Sequence, residues 1–159
     1  MKILVFSDSH GNVTNMKAAV AAEKPDRLFH LGDVVRDARA LAEAFPHIPL
    51  DYVSGNCDYA GEGPTQSIVA AGGVRILLTH GHVYHVKLGI GTAVEAARQA
   101  EVEVLAFGHT HQALCTQNES GLWVMNPGSI RGPWGPTYGV IEVCNGTVMC
   151  HLMELKQEG

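Results

Sequence analysis

The chain has 159 residues, of which 46% are hydrophobic and 17% charged, and its formal net charge is −5. This composition excludes a disordered chain, and an acidic balance without any lysine or arginine run argues against nucleic acid as a partner. No apolar run approaches the ~20 residues of a membrane span, and polar residues follow MKILVF at once. We therefore expect a cytoplasmic protein without a membrane partner.

The first part of the chain predicts strands that alternate with helices. The predicted strands are residues 2–6, 27–31 and 51–54, and the predicted helices are residues 16–23 and 37–45. Short continuous apolar runs such as KILVF are typical of buried strands, and the alternation indicates a βαβαβ unit. Asn12 or Thr14 can cap the first helix, which ends before Pro25.

The second part begins with a hairpin over residues 66–71 and 74–79, joined by Gly72-Gly73. A helix over residues 91–100 and a strand over residues 102–107 follow. Four more strands are then predicted without helices, over residues 113–117, 122–125, 138–144 and 147–153. This last part indicates an antiparallel meander, and we expect one mixed core in a single domain over residues 1–159.

The four cysteines show no CxxC spacing, and one pair can be tested by its position in a hairpin. Asn145-Gly146 is a strong two-residue turn signal. The resulting register sets Cys144 opposite Thr147 and Cys150 opposite Ile141. Since side chains alternate along a strand, Cys144 and Cys150 point to opposite faces and should not form a disulfide. Free thiols suit a reducing cytosol.

Five apolar strands each end in Asp, Asn or His beside a glycine. They are KILVFSDSHGN, RLFHLGDVV, DYVSGNCDY, RILLTHGH and EVLAFGHTH. In open α/β sheets the loops at the carboxyl ends of strands gather in one crevice. We therefore expect seven side chains to meet there, namely Asp8, His10, Asp33, Asn56, His80, His109 and His111. Taken singly, each segment can also be a turn or a helix cap.

The spacing of GHTH explains how one strand end can offer two ligands. In extended chain, residues two apart face the same side, so His109 and His111 can each bind a metal ion. Gly108 leaves room for the backbone to approach closely. Seven candidates exceed what one tetrahedral ion needs, which favours two ions. Oxygen and imidazole ligands suit Mn²⁺, Fe, Zn²⁺ or Ni²⁺.

The order D-x-H, G-D, G-N-x-D, H-G-H and G-H-T-H, with NPGS at residues 126–129, resembles the calcineurin-like metallophosphoesterases. The short length and the GNCD form resemble their small bacterial and archaeal phosphodiesterase branch. This resemblance implies an α/β (α+β) fold, a two-sheet β-sandwich flanked by helices in four layers. It also implies hydrolysis of small phosphoester substrates by attack of a metal-bound hydroxide.

The resemblance also implies roles for individual residues. One divalent ion, for which Mn²⁺ is the first choice, would be held by Asp8, His10, Asp33 and His111. A second ion would be held by Asp33, Asn56, His80 and His109, with Asp33 bridging the two. The candidate catalytic group is Asp33, Asn56, Cys57 and Asp58.

Cys57 stands where many relatives carry a histidine that protonates the leaving oxygen. A thiol with a pKa of about 8.5 donates a proton less readily at neutral pH than a histidinium with a pKa of about 6.5. We therefore expect a preference for aryl or otherwise activated esters. The alternative interpretation is that Cys57 is a small packing residue.

Three further residues are candidates for substrate contacts. His82 can instead orient a metal ligand or cap its loop. Arg131 has the forked donors that suit phosphate, and Ser129 precedes it in a Gly/Pro-rich turn that can equally be structural. Trp134 can line the rim of the site or shield the core. The remaining histidines, His30, His47, His85 and His151, are expected to be structural or solvated.

Two other functions fit the same fold. The retromer scaffold subunit resembles it and acts as a binding module with an incomplete metal site, whereas this chain fills every ligand position. Nucleases and protein phosphatases use the same metal pair, but those relatives are usually much longer. A homo-oligomer is also compatible with the sequence.

Overall fold

The computed structural model describes residues 1–59, 61–131 and 135–156, so Trp134 lies outside the described residues. The described residues form helices α1 (Val13–Glu23), α2 (Val35–Ala44) and α3 (Gly91–Gln99). Their strands are β1 (Lys2–Phe6), β2 (Arg27–His30), β3 (Leu50–Tyr52), β4 (Gln66–Ala71), β5 (Val74–Thr79), β6 (Val104–Ala106), β7 (Leu114–Gln117), β8 (Trp123–Asn126), β9 (Thr137–Cys144) and β10 (Thr147–Glu154). Within these ranges, every helix is too short or too polar to span a bilayer.

The strands form two five-stranded sheets. The order is β10-β9-β1-β2-β3 in the first sheet and β4-β5-β6-β8-β7 in the second. β1, β2 and β3 run parallel, because α1 and α2 carry the chain back to the start of each next strand. The predicted βαβαβ unit is therefore confirmed, and β9 and β10 extend its sheet in the antiparallel direction.

The predicted meander at the end of the chain is wrong. β8 lies between β6 and β7 and runs parallel to β6, with Leu105 opposite Val124. β9 then joins the first sheet and pairs antiparallel with β1, where Leu4 lies opposite Val140. The hydrophobic pattern locates these strands but does not specify which distant strand each one pairs with.

Alternation along each strand sorts its side chains into two packing layers. Ile3 and Val5 of β1 pack between the two sheets, whereas Leu4 and Phe6 pack with residues of α1 and α2. In the second sheet, Leu105 packs with residues of α3. Helices, sheet, sheet and helix thus form four layers, and the predicted two-sheet sandwich flanked by helices is confirmed.

Two local predictions are also confirmed. The side chain of Asn12 accepts the backbone N–H of Asn15 and caps α1. In the β9–β10 hairpin, Cys144 lies opposite Thr147 and Cys150 lies opposite Ile141, as the Asn145-Gly146 turn predicts. All four cysteines are free.

The loops that follow the parallel strands are joined at one edge of the sandwich. Asp8 donates its backbone N–H to Gly32 at 3.2 Å, which links the loops after β1 and β2. Gly108 donates its backbone N–H to His80 at 2.9 Å, which links the loops after β6 and β5. These bonds fix the positions of the polar residues that end the strands.

Candidate metal centre

Seven polar side chains from five strand ends converge at this edge. They are Asp8, His10, Asp33, Asn56, His80, His109 and His111. His111 Nε2 lies 3.2 Å from Asp8 Oδ1, and His80 Nε2 lies 3.4 Å from Asp33 Oδ2. The loops thus bring together the side chains that the sequence pattern assigned to one crevice.

The donor atoms form two overlapping groups. Asp8, His10 and His111 form one group, and Asp8, Asp33 and His80 form the other, with ligand atoms within 4.8 Å of one another in each. Asp8 Oδ1 lies 4.0 Å from His10 Nε2 and 3.9 Å from His80 Nε2. Asp8 therefore faces both groups, as does Asp33, to which the resemblance assigned the bridging position.

The remaining two candidates extend the second group. His80 Nε2 lies 3.1 Å from Asn56 Oδ1 and 3.1 Å from His109 Nδ1. Asp8, Asp33 and His80 are buried, whereas Asn56 and His111 are exposed. The centre therefore has a buried floor and an exposed rim, and a substrate can approach it from solvent.

The two oxygens of Asp8 differ in a way that suits a cation. Oδ2 accepts hydrogen bonds from the Ser7 hydroxyl at 2.7 Å and the His109 backbone N–H at 3.1 Å. Oδ1 is buried and has no hydrogen-bond partner among the described residues. An unsatisfied buried acceptor costs about 1–3 kcal/mol, and more when it is charged. An oxygen left free among imidazole nitrogens therefore fits a metal ligand.

The hydrogen bond of His80 determines which nitrogen can bind a cation. Nδ1 lies 2.8 Å from the carbonyl oxygen of Leu31, which can only accept, so Nδ1 carries the proton. Nε2 is left to face Asp33 and Asn56. A histidine ligand fixed through its other ring nitrogen is the usual arrangement in metal sites.

The pKa values at the centre show where positive charge is favoured. Burial by itself would raise the pKa of Asp33, but hydrogen bonds from His80 and Cys57 hold that pKa well below its ordinary value. Burial by itself would lower the pKa of His80, but Asp33 and Asp8 raise it. Burial and the charge of His80 lower the pKa of His82 and His109. Positive charge is thus most favoured between Asp8 and Asp33.

The backbone at the centre is strained. Among the described residues, nine residues other than glycine have a positive φ, and five of them are candidate ligands. These five are Asp8 (φ 55°), His10 (42°), Asp33 (45°), His109 (71°) and His111 (62°). Such conformations are uncommon for side-chain-bearing residues and concentrate at functional sites, where surrounding contacts hold them in place. The extended chain predicted for His109 and His111 is therefore wrong, since β6 ends at Ala106 and both residues lie in a loop with positive φ.

Two glycines allow the loops to press against the carboxylates. A Cβ at Gly108 would overlap the Ser7 hydroxyl and lie 2.9 Å from Asp8 Oδ2. A Cβ at Gly55 would overlap Asp33 Oδ1 and lie 2.8 Å from the Asp33 nitrogen. The close approach predicted at Gly108 is therefore present, and Gly55 plays the same part for Asp33.

Asp58, which the sequence placed in the catalytic group, is fully engaged with backbone. Its Oδ2 accepts the N–H groups of Asp33 and Gly55, and its Oδ1 accepts that of Val35. Both oxygens of Asp58 therefore hold backbone groups of the loops that carry Asp33 and Asn56, and its catalytic role stays a prediction. Cys57 is exposed, and its backbone N–H donates to Asp33 Oδ1 at 3.0 Å.

The three candidate substrate contacts differ in position. The Ser129 hydroxyl donates to the Asp8 carbonyl at 2.9 Å and accepts the Arg131 N–H, so it ties the NPGS turn to the centre. Arg131 is exposed, and its carbonyl accepts from Asn12. The His82 ring centroid lies 5.6 Å from that of His80, and its buried Nδ1 has no hydrogen-bond partner among the described residues.

Asn126 supports the GHTH loop, a role that the sequence pattern did not reveal. It is fully buried, and its Nδ2 donates to the Gly108 carbonyl at 3.2 Å and to Thr110 Oγ1 at 2.9 Å. Its Oδ1 accepts the Gly128 N–H. The NPGS motif was the available signal, but Gly108 and Thr110, the partners of Asn126 in the GHTH loop, lie 18 and 16 residues away in sequence.

Comparisons with known proteins agree with this fold. The model for the family described as "Calcineurin-like phosphoesterase superfamily domain" matches residues 1–146. The Bacillus subtilis protein named "Probable metallophosphoesterase YsnB" is 33% identical over 135 residues, which cover 84% of this chain and 77% of that protein.

Two solved structures share the fold at lower identity. Vps29 of Chaetomium thermophilum is 21% identical with a TM-score of 0.79, covering 99% of this chain and 89% of that chain. A structure titled "Structural and Functional Characterization of a Novel Archaeal Phosphodiesterase" is 21% identical with a TM-score of 0.71, covering 96% and 100%. These two structures agree with the fold, and the family model and the Bacillus subtilis relative establish that the chain belongs to the calcineurin-like phosphoesterase superfamily.

Proposed function

We propose that the protein is a phosphodiesterase that hydrolyses small phosphoesters with two divalent cations. Mn²⁺ is the first choice, and Fe, Zn²⁺ and Ni²⁺ are alternatives for this mixed oxygen and nitrogen ligand set. Family membership supports phosphoric ester hydrolysis. The likeness to an archaeal phosphodiesterase supports the diester class.

The observation that carries this proposal is the free oxygen of Asp8. Asp8 Oδ1 is buried without a hydrogen-bond partner among the described residues, and it lies 3.2 to 4.0 Å from nitrogens of His111, His80 and His10. A core would not leave a carboxylate oxygen in this state unless a positive ligand satisfied it. The donor set therefore fits resident cations.

The side chains of the centre divide the work of binding and orientation. A divalent pair supplies Lewis-acid activation of water and of the phosphate oxygens. Asp8 and Asp33 provide the negative charge of the floor, and His80, fixed by the Leu31 carbonyl, keeps Nε2 directed at them. The exposed rim near Asn56 and His111 admits the phosphoester.

Protonation of the leaving oxygen is the weak step of this mechanism. In the metal-free protein, desolvation and the charges of Asp33 and Asp58 raise the pKa of the Cys57 thiol. Even at its ordinary pKa of about 8.5, a thiol donates a proton less readily at neutral pH than a histidinium. Asp58 is committed to three backbone N–H groups. We therefore expect aryl or activated esters, whose leaving groups need little protonation, to be the better substrates.

The test is an activity screen after metal removal. Chelated protein is reloaded separately with Mn²⁺, Zn²⁺, Ni²⁺ or Fe²⁺ and assayed on aryl mono- and diesters. Asp33→Asn should reduce hydrolysis at least about 100-fold, because it removes charge from the floor. Glu119→Gln, at an exposed position away from the centre, should match the wild type. Hydrolysis that survives chelation, or survives Asp33→Asn, would contradict the proposal.

The likeness to Vps29 supports a second candidate, a non-catalytic binding module. Two simple measurements distinguish these functions: the metal content of unchelated protein and its metal-stimulated diesterase activity. Absence of both would favour the binding module. The third candidate is a nuclease or a protein phosphatase that uses the same metal pair. Comparing the rates of hydrolysis of nucleic acid and of small diesters at a fixed salt concentration distinguishes a nuclease from the proposed enzyme.

We also propose a cytoplasmic location. The supporting observation is that all four cysteines are free, which suits a reducing compartment. Fractionation of the native cells with an antibody to the protein tests this, and recovery outside the cytoplasm would contradict it.

A further inference from the structure

A network of buried polar side chains lies behind the metal centre and takes no part in the proposed mechanism. Its members are His30, Ser9 and Asp37, each 3% exposed or less. Ser9 lies between Asp8 and His10, and His30 is the last residue of β2. Asp37 lies in the first turn of α2. This network of side chains therefore connects the two loops that carry Asp8 and Asp33.

In this network, protons are donated in one order, from His30 to Ser9 and from Ser9 to Asp37. The Gly32 backbone N–H, which can only donate, points at His30 Nδ1 from 3.2 Å, so the proton of the neutral ring is on Nε2. His30 Nε2 lies 3.0 Å from Ser9 Oγ and donates to it. The Ser9 hydroxyl donates to Asp37 Oδ2 at 2.7 Å, and the Gly11 N–H reaches the same oxygen at 2.6 Å.

The charge state of His30 agrees with this direction. Burial, which outweighs the nearby charges of Asp37 and Asp8, lowers the pKa of His30 to about 4. The ring is then neutral over the physiological range and donates through a single nitrogen. The Ser9 hydroxyl has a near acceptor in Asp37 Oδ2 at 2.7 Å and a more distant one in the Asp33 carbonyl at 3.5 Å.

Burying these three polar side chains costs more free energy than filling the same space with apolar residues. An imidazole, a hydroxyl and a carboxylate in a dry interior must satisfy one another, and apolar residues of similar volume would fill the space without that requirement. Besides these side-chain bonds, the Ser9 backbone N–H donates to the Asp33 carbonyl at 3.1 Å. The network thus fixes Ser9, and with it Asp8 and His10, relative to Asp33.

We propose that His30 is a positioning residue of the metal centre. By donating to Ser9 it holds the Asp8–His10 loop at the distance from Asp33 that a cation bound to both loops requires. Ser9 and Asp37 transmit this restraint, and neither touches the cation or the substrate. This inference rests on the proposed metal-dependent function and adds to it the residue that sets the spacing of its floor.

The experiment measures Mn²⁺ binding to chelated protein by isothermal titration calorimetry, so it does not depend on activity. His30→Leu removes the donor to Ser9, and His30→Gln offers an amide N–H in its place. Loss of a partner that orients metal ligands typically costs 10- to 100-fold in metal affinity. We expect that loss in His30→Leu and recovery of most of the affinity in His30→Gln.

The matched control is Tyr138→Phe, which removes a partly buried hydrogen bond between β9 and the end of α1. Tyr138 is 3% exposed and donates to Glu23 Oε1 at 2.9 Å. This variant should lower the thermal midpoint of the metal-free protein while leaving Mn²⁺ affinity unchanged. It separates a positioning effect from a general loss of stability.

Four results would count against the proposal. If His30→Leu binds Mn²⁺ like the wild type, or if His30→Gln loses as much affinity as His30→Leu, His30 has no positioning role. If Tyr138→Phe weakens Mn²⁺ binding equally, the effect is only stability. If the wild type binds no divalent ion at all, the proposed function fails as well, which distinguishes the two failures.

Discussion

Asp58 accepts a hydrogen bond from the backbone N–H of Asp33 at 3.1 Å, across 25 residues of sequence. The same carboxylate accepts the N–H groups of Gly55 and Val35, each at 2.8 Å. One side chain thereby joins the loop that carries Asp33 to the loop that carries Asn56. The relative positions of these two candidate ligands depend on it.

Replacing Asp58 should therefore lower the stability of the protein. Asp58→Ala leaves three backbone donors without this acceptor, at about 1–3 kcal/mol for each one that water does not reach. We expect a loss of roughly 2–4 kcal/mol in the free energy of unfolding, measured by urea denaturation of the metal-free protein. Asp58→Asn keeps one acceptor oxygen and should lose less. An Asp58→Ala variant as stable as the wild type would show that these three hydrogen bonds contribute nothing to stability.

Gly108 provides a second test of how tightly the loops pack. Gly108→Ala places a methyl group against Ser7 and the Asp8 carboxylate, so the GHTH loop must move away from Asp8. We expect Mn²⁺ affinity to fall at least about tenfold, since loop position controls ligand geometry. The readout is calorimetric titration of chelated protein.

Gly91→Ala is the matched control for this substitution. Gly91 begins α3, and a Cβ there meets no atom within 4 Å. Alanine also favours the helix by up to about 1 kcal/mol, so this variant should be as stable as the wild type or more so. Equal Mn²⁺ affinity in Gly108→Ala and Gly91→Ala would mean that the contact at Gly108 is not needed for binding.

The sequence predicted the strand ends because alternation and glycine signals are local. It placed β1, β4 and β5 at their observed bounds and assigned seven candidate ligands to one crevice. It failed for the position of β8 beside β6, since pairing is decided by contacts between distant strands. The hydrogen bonds that Asp58, Asn126 and His30 make to other loops were equally hidden, because those partners lie 16 to 25 residues away.

Cys57→His tests whether the proton donor limits the reaction. A histidinium with a pKa of about 6.5 protonates a leaving oxygen more readily at neutral pH than a thiol with an ordinary pKa of about 8.5. We expect kcat to rise at least about tenfold on unactivated alkyl diesters and to change little on aryl diesters. The measurement is the dependence of log kcat on leaving-group pKa, which should become shallower in the variant.

Cys57→Ala provides the opposite comparison. If Cys57 is only a packing residue, this variant should act on both ester classes like the wild type. A roughly hundredfold loss on an alkyl diester, with an aryl diester unaffected, would instead identify Cys57 as the acid and overturn the expected substrate preference.

The pH dependence of metal binding follows from the raised pKa of His80. Burial opposes protonation of His80, but Asp33 and Asp8 outweigh this effect. In the metal-free protein the His80 ring therefore stays protonated at pH values above its ordinary pKa of 6.5. In the metal-free fold this protonation is stabilising below pH 6.5, and that contribution is lost as pH rises through the folded pKa. A cation needs the neutral ring, so proton and metal compete for Nε2.

Metal affinity should therefore rise with pH across the neutral range. Each proton displaced on binding gives about a tenfold change in the apparent binding constant per pH unit below the pKa of its group. Calorimetric titrations with Mn²⁺ at pH 5.5 to 8, in buffers of different ionisation enthalpy, give both the affinity and the number of protons released. His151→Gln, at an exposed position on β10, should follow the wild-type curve. Full occupancy retained at pH 4, or binding without proton release below pH 6.5, would contradict imidazole ligation at this centre.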